Sequence, residues 1–218
     1  MPPRHLVWLL RLIQAWDRFR LRRLQRRHAG LTIDATASTN LAAAEFHLGV
    51  GARLEIGPHV KTDRRPGGVR FHVADGAHVK IGEGAWLRSH VHPTHIAAFP
   101  GAVIELGPFS WMNGCHLSAK EHLVVGRETM IGFGSRVFDS DQHDLDDARP
   151  EQTAPVTIGD FVWVAADTTV LKGVTIGSQS VVGTRSVVTA SIPEHTLAVG
   201  IPAKPVGEIG DRSKLPHA

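Results

Sequence analysis

Small and aliphatic residues recur along this chain at fixed intervals. Gly51-Ala-Arg-Leu-Glu-Ile56-Gly57, Gly76-Ala-His-Val-Lys-Ile81-Gly82, Gly101-Ala-Val-Ile-Glu-Leu106-Gly107 and Gly126-Arg-Glu-Thr-Met-Ile131-Gly132 align at a 25-residue period. Downstream, Ile158, Val164, Val170, Ile176, Val182 and Val188 follow one another every six residues. A six-residue unit suits neither a helical face nor the two-residue alternation of a free-standing strand. It suits a chain wound in flat segments that each turn one aliphatic inward, three segments to a triangular coil. Stacked coils about 4.8 Å apart then bond backbone to backbone and line up their aliphatics in columns. The pattern predicts an all-β protein, a parallel β-helix, with the 25-residue coils pushing their surplus out at a corner. A β-sandwich would instead show hairpin signals at short, regular intervals. The Asp75-Gly76 pair sits within the repeat itself and not in a two-residue hairpin loop.

The N-terminal segment follows a different rhythm. At about 100° per residue, Leu6, Leu9, Leu10, Leu12, Ile13, Trp16 and Phe19 share one broad face, with Arg4, Arg11, Arg18 and Arg22 opposite. The organisation expected is a short basic amphipathic helix over 1–30, a β-helix over 31–207 with an irregular loop at about 138–156, and a tail over 208–218. Two fates suit the helix: a cap over the first open coil, whose strand edges need covering, or peripheral contact with an anionic membrane through residues 4–27.

Composition narrows the classes. With 42% hydrophobic and 21% charged residues, the chain matches an ordinary globular domain and is neither disordered nor collagenous. Arg11 cuts the apolar run short of the roughly 20 residues that a spanning helix needs, and no small-x-small cleavage site follows it. A lone cysteine, Cys115, offers no intrachain disulfide. A cytoplasmic location is expected. Of the 24 basic and 21 acidic side chains, the leader over 1–30 holds eight arginines and a single aspartate. The body is therefore mildly acidic, so a nucleic-acid partner is not expected.

The segment Val156-Thr-Ile-Gly-Asp-Phe-Val-Trp163-Val-Ala-Ala-Asp-Thr-Thr-Val-Leu-Lys-Gly173-Val-Thr-Ile-Gly177, with Val182-Gly-Thr-Arg-Ser-Val-Val-Thr189 and Gly200-Ile-Pro-Ala-Lys204, is similar to the C-terminal signature of the hexapeptide-repeat acyltransferases. Within that family the chain most resembles the O-acetyltransferases of sugars and polysaccharides. The resemblance implies a left-handed β-helix, a homotrimer, and transfer of an acetyl group from acetyl-CoA to a hydroxyl, with no metal. Such a transfer needs a base that is mostly neutral near pH 7, the usual work of histidine. His143, in Phe138-Asp-Ser-Asp-Gln-His143-Asp-Leu-Asp-Asp147, stands where the hexad rhythm breaks between Val137 and Val156, and the resemblance makes it the general base. Asp141, Asp144, Asp146 and Asp147 are candidates to orient its ring.

The resemblance also places Asn113 against the acceptor, and Trp163, Ala166, Thr184, Thr189 and, for the phosphates, Lys204 against coenzyme A. Ala190 stands where the family often has lysine, which weakens the phosphate grip. Extending the 25-residue register sets His116 one turn from Asp141, in a polar column leading to His143 that suits an extended saccharide. Cys115 is expected to be a small buried hydrophobe. Two other enzymatic readings remain: acetylation of a non-sugar small molecule, and a zinc site resembling the γ-class carbonic anhydrases, which use a His-x4-His pair such as His90 and His95 plus a third histidine. Zinc requires three converging protein ligands and an open position, and no histidine precedes His90 at that family's spacing.

Overall fold

The computed structural model describes residues 4–215; positions 1–3 and 216–218 of the expected leader and tail lie outside the described residues. The expected left-handed parallel β-helix is present, preceded by one α-helix, α1 (Arg4–Arg27). Between its ends α1 contains neither glycine nor proline and is rich in Leu, Arg and Gln, all good helix formers. Arg26 and Arg27 close its last turn, where cations favour the carbonyl end of the dipole. The chain leaves the helix through Gly30, where a Cβ would lie 1.8 Å from the Ala52 carbonyl oxygen, so only glycine lets the first coil meet the second.

Three parallel faces carry the coils. The first stacks seven strands from Leu31–Ile33 to Thr175–Ile176, the second seven from Glu45–Leu48 to Val187–Val188, and the third runs from Lys61–Thr62 to a terminal antiparallel hairpin. Ile158, Val164, Val170, Ile176, Val182 and Val188 are all fully buried, one from each successive strand, as the hexad rhythm predicted. Each such burial contributes roughly 1.5 to 3 kcal/mol. At the corner between first and third faces the chain turns through residues in the left-handed region, among them His59, Phe109, Glu128, Phe161, Gln179 and His195, with φ between 52° and 67°.

The 25-residue register holds for two steps and then fails. Arg53 pairs with His78 and His78 with Val103, a full period on each time. Val103 then pairs with His122, one hexad short of the period, and Leu123 with Val156, well beyond it. Gly126 consequently stacks on Gly107, whose Cβ would meet it at 2.6 Å, and not on Gly101. The expected adjacency of His116 and Asp141 falls with this: His116 pairs with Arg136 on the second face, and Asp141 belongs to the loop beyond. The aligned Gly-x4-Ile spacing was genuine in the sequence, but inward aliphatics recur every six residues, so several registers satisfy it. Corner geometry selects among them.

The short coil has a specific device at its tight corner. Asp139, fully buried, accepts hydrogen bonds from the Lys120 and Glu121 backbone N–H groups at 2.7 and 2.8 Å. The carboxylate of one coil thus satisfies donors that a shortened corner in the neighbouring coil leaves without a ladder partner.

The broad apolar face of α1 is not what caps the first coil. The helix docks through a different stripe, in which Asp17 and Leu21 are buried, onto the first strand and a 3-10 turn at Thr39–Ala43. Asp17 forms an ion pair with Arg64, Arg18 donates to the Ala37 carbonyl at 3.2 Å, and Gln25 accepts from the Ile33 N–H at 2.8 Å. Leu6, Leu9, Leu10, Leu12, Trp16 and Phe19 remain exposed. No helix among the described residues is long and apolar enough to cross a membrane.

Replacing Asp139 by Ala strands two partly buried N–H donors and is expected to lower unfolding free energy by about 2 to 3 kcal/mol. Asp139→Asn, which keeps an acceptor oxygen, should fall between. Urea denaturation of the three proteins measures the difference.

Candidate active site

Between Phe138 on the second face and Val156 on the first, the chain leaves the coil as a finger. Its base is closed by Asp139 and by an antiparallel bridge between Ser140 and Thr153. Two lysines brace it from neighbouring coils: Lys120 Nζ lies 2.6 Å from Glu151 Oε2 and donates to the Gln142 carbonyl at 3.2 Å, and Lys172 pairs with Asp141. These ammonium groups hold the carboxyls of Asp141 and Glu151 below their usual range. Gln142, at φ 71°, turns the backbone just before His143, which is exposed. The finger is therefore braced at its base and presents one imidazole outward.

The acidic neighbours of His143 have other work. Asp141 binds Lys172, Asp144 accepts from the Glu151 N–H at 2.6 Å, and Asp146 pairs with Arg149. Among the described residues no carboxylate is bonded to the His143 ring.

A second feature lies at the corner between the third and second faces. Asn113 ends the strand Trp111–Asn113, and the next residue, Gly114, turns at φ 59° with its Cα close under the His92 carbonyl, which a Cβ would meet at 2.7 Å. The cleft beside it, about 360 Å³, is lined by His92, His95, Cys115, His116, Arg136 and Asp167. His92 stacks on Phe133 at 6.1 Å between ring centroids, roofing one end. Along the floor runs an outward column of Arg70, His95, His116 and Arg136, one residue from each successive coil. The His95 and His116 rings meet edge to face at 5.7 Å, and His116 meets Phe138 at 5.6 Å.

Burial lowers the proton affinity of both histidines, helped at His95 by Arg70 and at His116 by His95 and Arg136. Near neutral pH each is an uncharged ring with one donor and one acceptor nitrogen, which suits hydroxyl groups. Burial pushes the Cys115 thiol up to about 12, so the cleft holds no thiolate. Among the described residues no three His, Cys, Asp or Glu side chains converge as a metal site would require; His92 and His95 are turned to Phe133 and His116 instead.

The residues assigned to coenzyme A occupy the lower coils. Ala166 and Thr184 continue the corner of the cleft, where the Arg185 N–H bonds to the Ala166 carbonyl at 3.0 Å. Thr189 follows the last strand of the second face, on the same edge as the finger, and Lys204 pairs with Val199 in the terminal hairpin. Thr184, Thr189 and Lys204 are exposed, and Ala166 is half-buried. Trp163 stands on the third face, 43% exposed.

Arg212 was not visible to sequence reasoning. Its guanidinium lies 5.9 Å from the Trp163 ring centroid and donates to the Phe161 carbonyl at 2.9 Å. The tail has no hexad to reveal that it folds back. Asn113, His116, Ala166 and Thr184 thus share one edge of the second face, whereas His143, Asp141 and Thr189 share the other.

No family model matches the chain. It is 35% identical over 114 residues to an Escherichia coli protein named "Putative lipopolysaccharide biosynthesis O-acetyl transferase WbbJ", covering 46% of this chain and 57% of that one. It is 30% identical over 138 residues to the galactoside O-acetyltransferase of the same organism, covering 62% of this chain and 66% of that one. The crystal structure of the polysialic acid O-acetyltransferase OatWY superposes with a TM-score of 0.58 at 20% identity, over 80% of this chain and 94% of that one. In sequence the chain is similar to these O-acetyltransferases, and in fold to the polysialic acid O-acetyltransferase. It spans 57 to 66% of the length of these two curated relatives.

Because His95 and His116 hold protons less tightly than a free imidazole at 6.5, the unfolded chain takes up protons first as the pH falls. Their contribution to stability is therefore full above about pH 6.5 and is lost progressively below it, through their lowered folded values. His116→Gln should make stability fall less steeply below pH 6.5 than in the parent. Urea midpoints across pH 5 to 8 test this, and the His116 ring resonance should titrate below 6.5.

Proposed function

We propose that the chain is an acetyl-CoA-dependent O-acetyltransferase whose acceptor is a hydroxyl on a sugar or polysaccharide precursor. The observation that carries this reading is the braced finger, which interrupts the stack to present His143 with no partner for its ring among the described residues. His143 takes the proton of the acceptor hydroxyl as that oxygen attacks the thioester carbonyl. The carbon–sulfur bond then breaks, the ester forms, and the proton passes to the departing thiolate. Asn113 and the neutral His116 offer donors and acceptors for sugar hydroxyls, and Asp141 fixes the finger through Lys172. Trp163, Ala166, Thr184, Thr189 and Lys204 line the path of the coenzyme, with Arg212 added on the face of Trp163. The names of the curated relatives, which include a galactoside O-acetyltransferase, support the choice of acceptor class.

The separation of the two half-sites supports a homotrimer. Asn113 and His143 leave opposite edges of the second face, so a complete site forms when the finger of one subunit reaches the cleft of the next. The uncovered apolar face of α1 supports peripheral contact with a membrane through residues 4–27, and with it the reading of a cytoplasmic enzyme at the inner membrane face.

His143→Ala is expected to lower turnover by about 10²- to 10⁴-fold, the usual span of a general base, with acetyl-CoA affinity unchanged because the ring meets the acceptor. Free-thiol release with a panel of sugars, nucleotide sugars and lipid-linked saccharides, beside calorimetric titration of acetyl-CoA, measures both. Turnover within threefold of the parent would remove His143 from the mechanism.

A further inference from the structure

The second half of α1 does more than anchor the helix. A groove of about 560 Å³ runs between it and the first coil, walled by Trp16, Phe19, Leu24 and Phe46 and rimmed by Arg20, Arg23 and Arg27. The walls are held firmly: Trp16 and Phe19 stack at 5.7 Å, and Phe46 stacks at 5.3 Å on Phe71, which is fully buried. Steps of three and four residues bring Trp16, Arg20, Arg23 and Arg27 to one side of the helix. Asp17, the sole carboxylate on α1, is buried in its pair with Arg64. Among the described residues no carboxylate pairs with Arg20, Arg23 or Arg27. An aromatic trough with uncompensated guanidinium groups along its lip matches a ligand that is apolar at one end and phosphate at the other.

We propose that this groove binds an anionic membrane lipid, its phosphate held by Arg20, Arg23 and Arg27 and its first methylenes lying between Trp16, Phe19, Leu24 and Phe46. The inference rests on the reading of α1 as an interfacial helix and adds a site to it. The exposed Leu6, Leu9, Leu10 and Leu12 farther up the helix enter the same leaflet, while the groove selects the headgroup. A second copy of the chain fits less well, because two such rims brought together set arginines against arginines. Free phosphate would leave the aromatic walls facing water.

The test uses the full chain, sedimented with vesicles of phosphatidylcholine alone and of phosphatidylcholine mixed with phosphatidylglycerol. Two variants accompany it: Arg20→Gln/Arg23→Gln/Arg27→Gln, which alters only the rim, and Leu9→Ser/Leu12→Ser, which alters only the free half. The parent should bind the mixed vesicles at least tenfold better than the neutral ones. The rim variant should lose roughly a hundredfold of that binding, since each arginine near an anionic surface contributes about a factor of five, with its mass by light scattering unchanged.

Binding of the rim variant equal to the parent's, with the Leu9/Leu12 variant weakened, would overturn the groove and leave the interfacial helix standing. Negligible binding by the parent would overturn both. A fall in oligomer mass in the rim variant, without a phosphatidylglycerol preference in the parent, would assign the surface to a neighbouring copy and overturn the lipid site. Saturable tryptophan quenching by inorganic phosphate without vesicle binding would likewise overturn it in favour of a free anion. None of these readouts depends on acyl transfer, so the enzymatic reading stands or falls separately.

Discussion

Everything in this molecule is subordinate to the backbone ladder between coils. Each inward segment bonds to the one above and the one below, so all coils must share one triangular perimeter whatever number of residues they contain. A coil with surplus residues has to expel them at a corner, and a coil with too few has to close its corner with help from a side chain. The finger bearing His143 is the first case, on a coil where the chain makes its longest excursion between the paired Leu123 and Val156. Asp139 bonding to Lys120 and Glu121 is the second. Both lie on the same edge, one coil apart. The longest excursion of the chain therefore grows from a corner fastened by a buried carboxylate, which fixes the base of the finger that carries His143.

The sequence made the fold legible because the core is built from single residues at a constant spacing. Ile158 through Val188 could be placed inward from the text alone, and the interruption between Val137 and Val156 marked the finger. The 25-residue repeat misled at its fourth member because it was tested on glycine and aliphatic positions only. Those positions tolerate a slip of one hexad, a whole strand, without putting a polar group in the core. What breaks the tie is the corner at Ala119 to His122, where a buried aspartate from the following coil replaces two turn residues. That pairing joins positions 18 and 19 apart in sequence, with no local motif to announce it.

Side-chain partnerships were legible only in part. His143 could be singled out, but the engagement of Asp141 by Lys172 and of Asp144 by the Glu151 amide joins residues whose proximity depends on how the finger folds back. The same holds for Arg212 on Trp163, and for Asp17 with Arg64, a contact between two segments that look equally basic when read alone. The helix illustrates the limit most clearly. Its hydrophobic face was correctly located, yet the stripe that docks is the one containing its only acid, because one buried ion pair and one leucine met the surface offered by the first coil better than a broad apolar arc did.

The terminal hairpin bears on solubility in the crowded cell. A stack of parallel coils is in principle open-ended, and its last coil offers the same ladder to another molecule that it offers to itself. Here Thr196–Gly200 is followed by Ala203–Glu208 running the opposite way, and Pro205 within that outer strand has no N–H to donate. A reversed, proline-bearing edge does not template a further coil. At the other end the turn at Thr39–Ala43 lies over the first strand of the third face, and Asn40 donates to the Thr62 carbonyl at 3.0 Å. With dissimilar plugs at its two ends, the prism resists end-to-end growth into filaments, a hazard that any self-complementary solenoid carries.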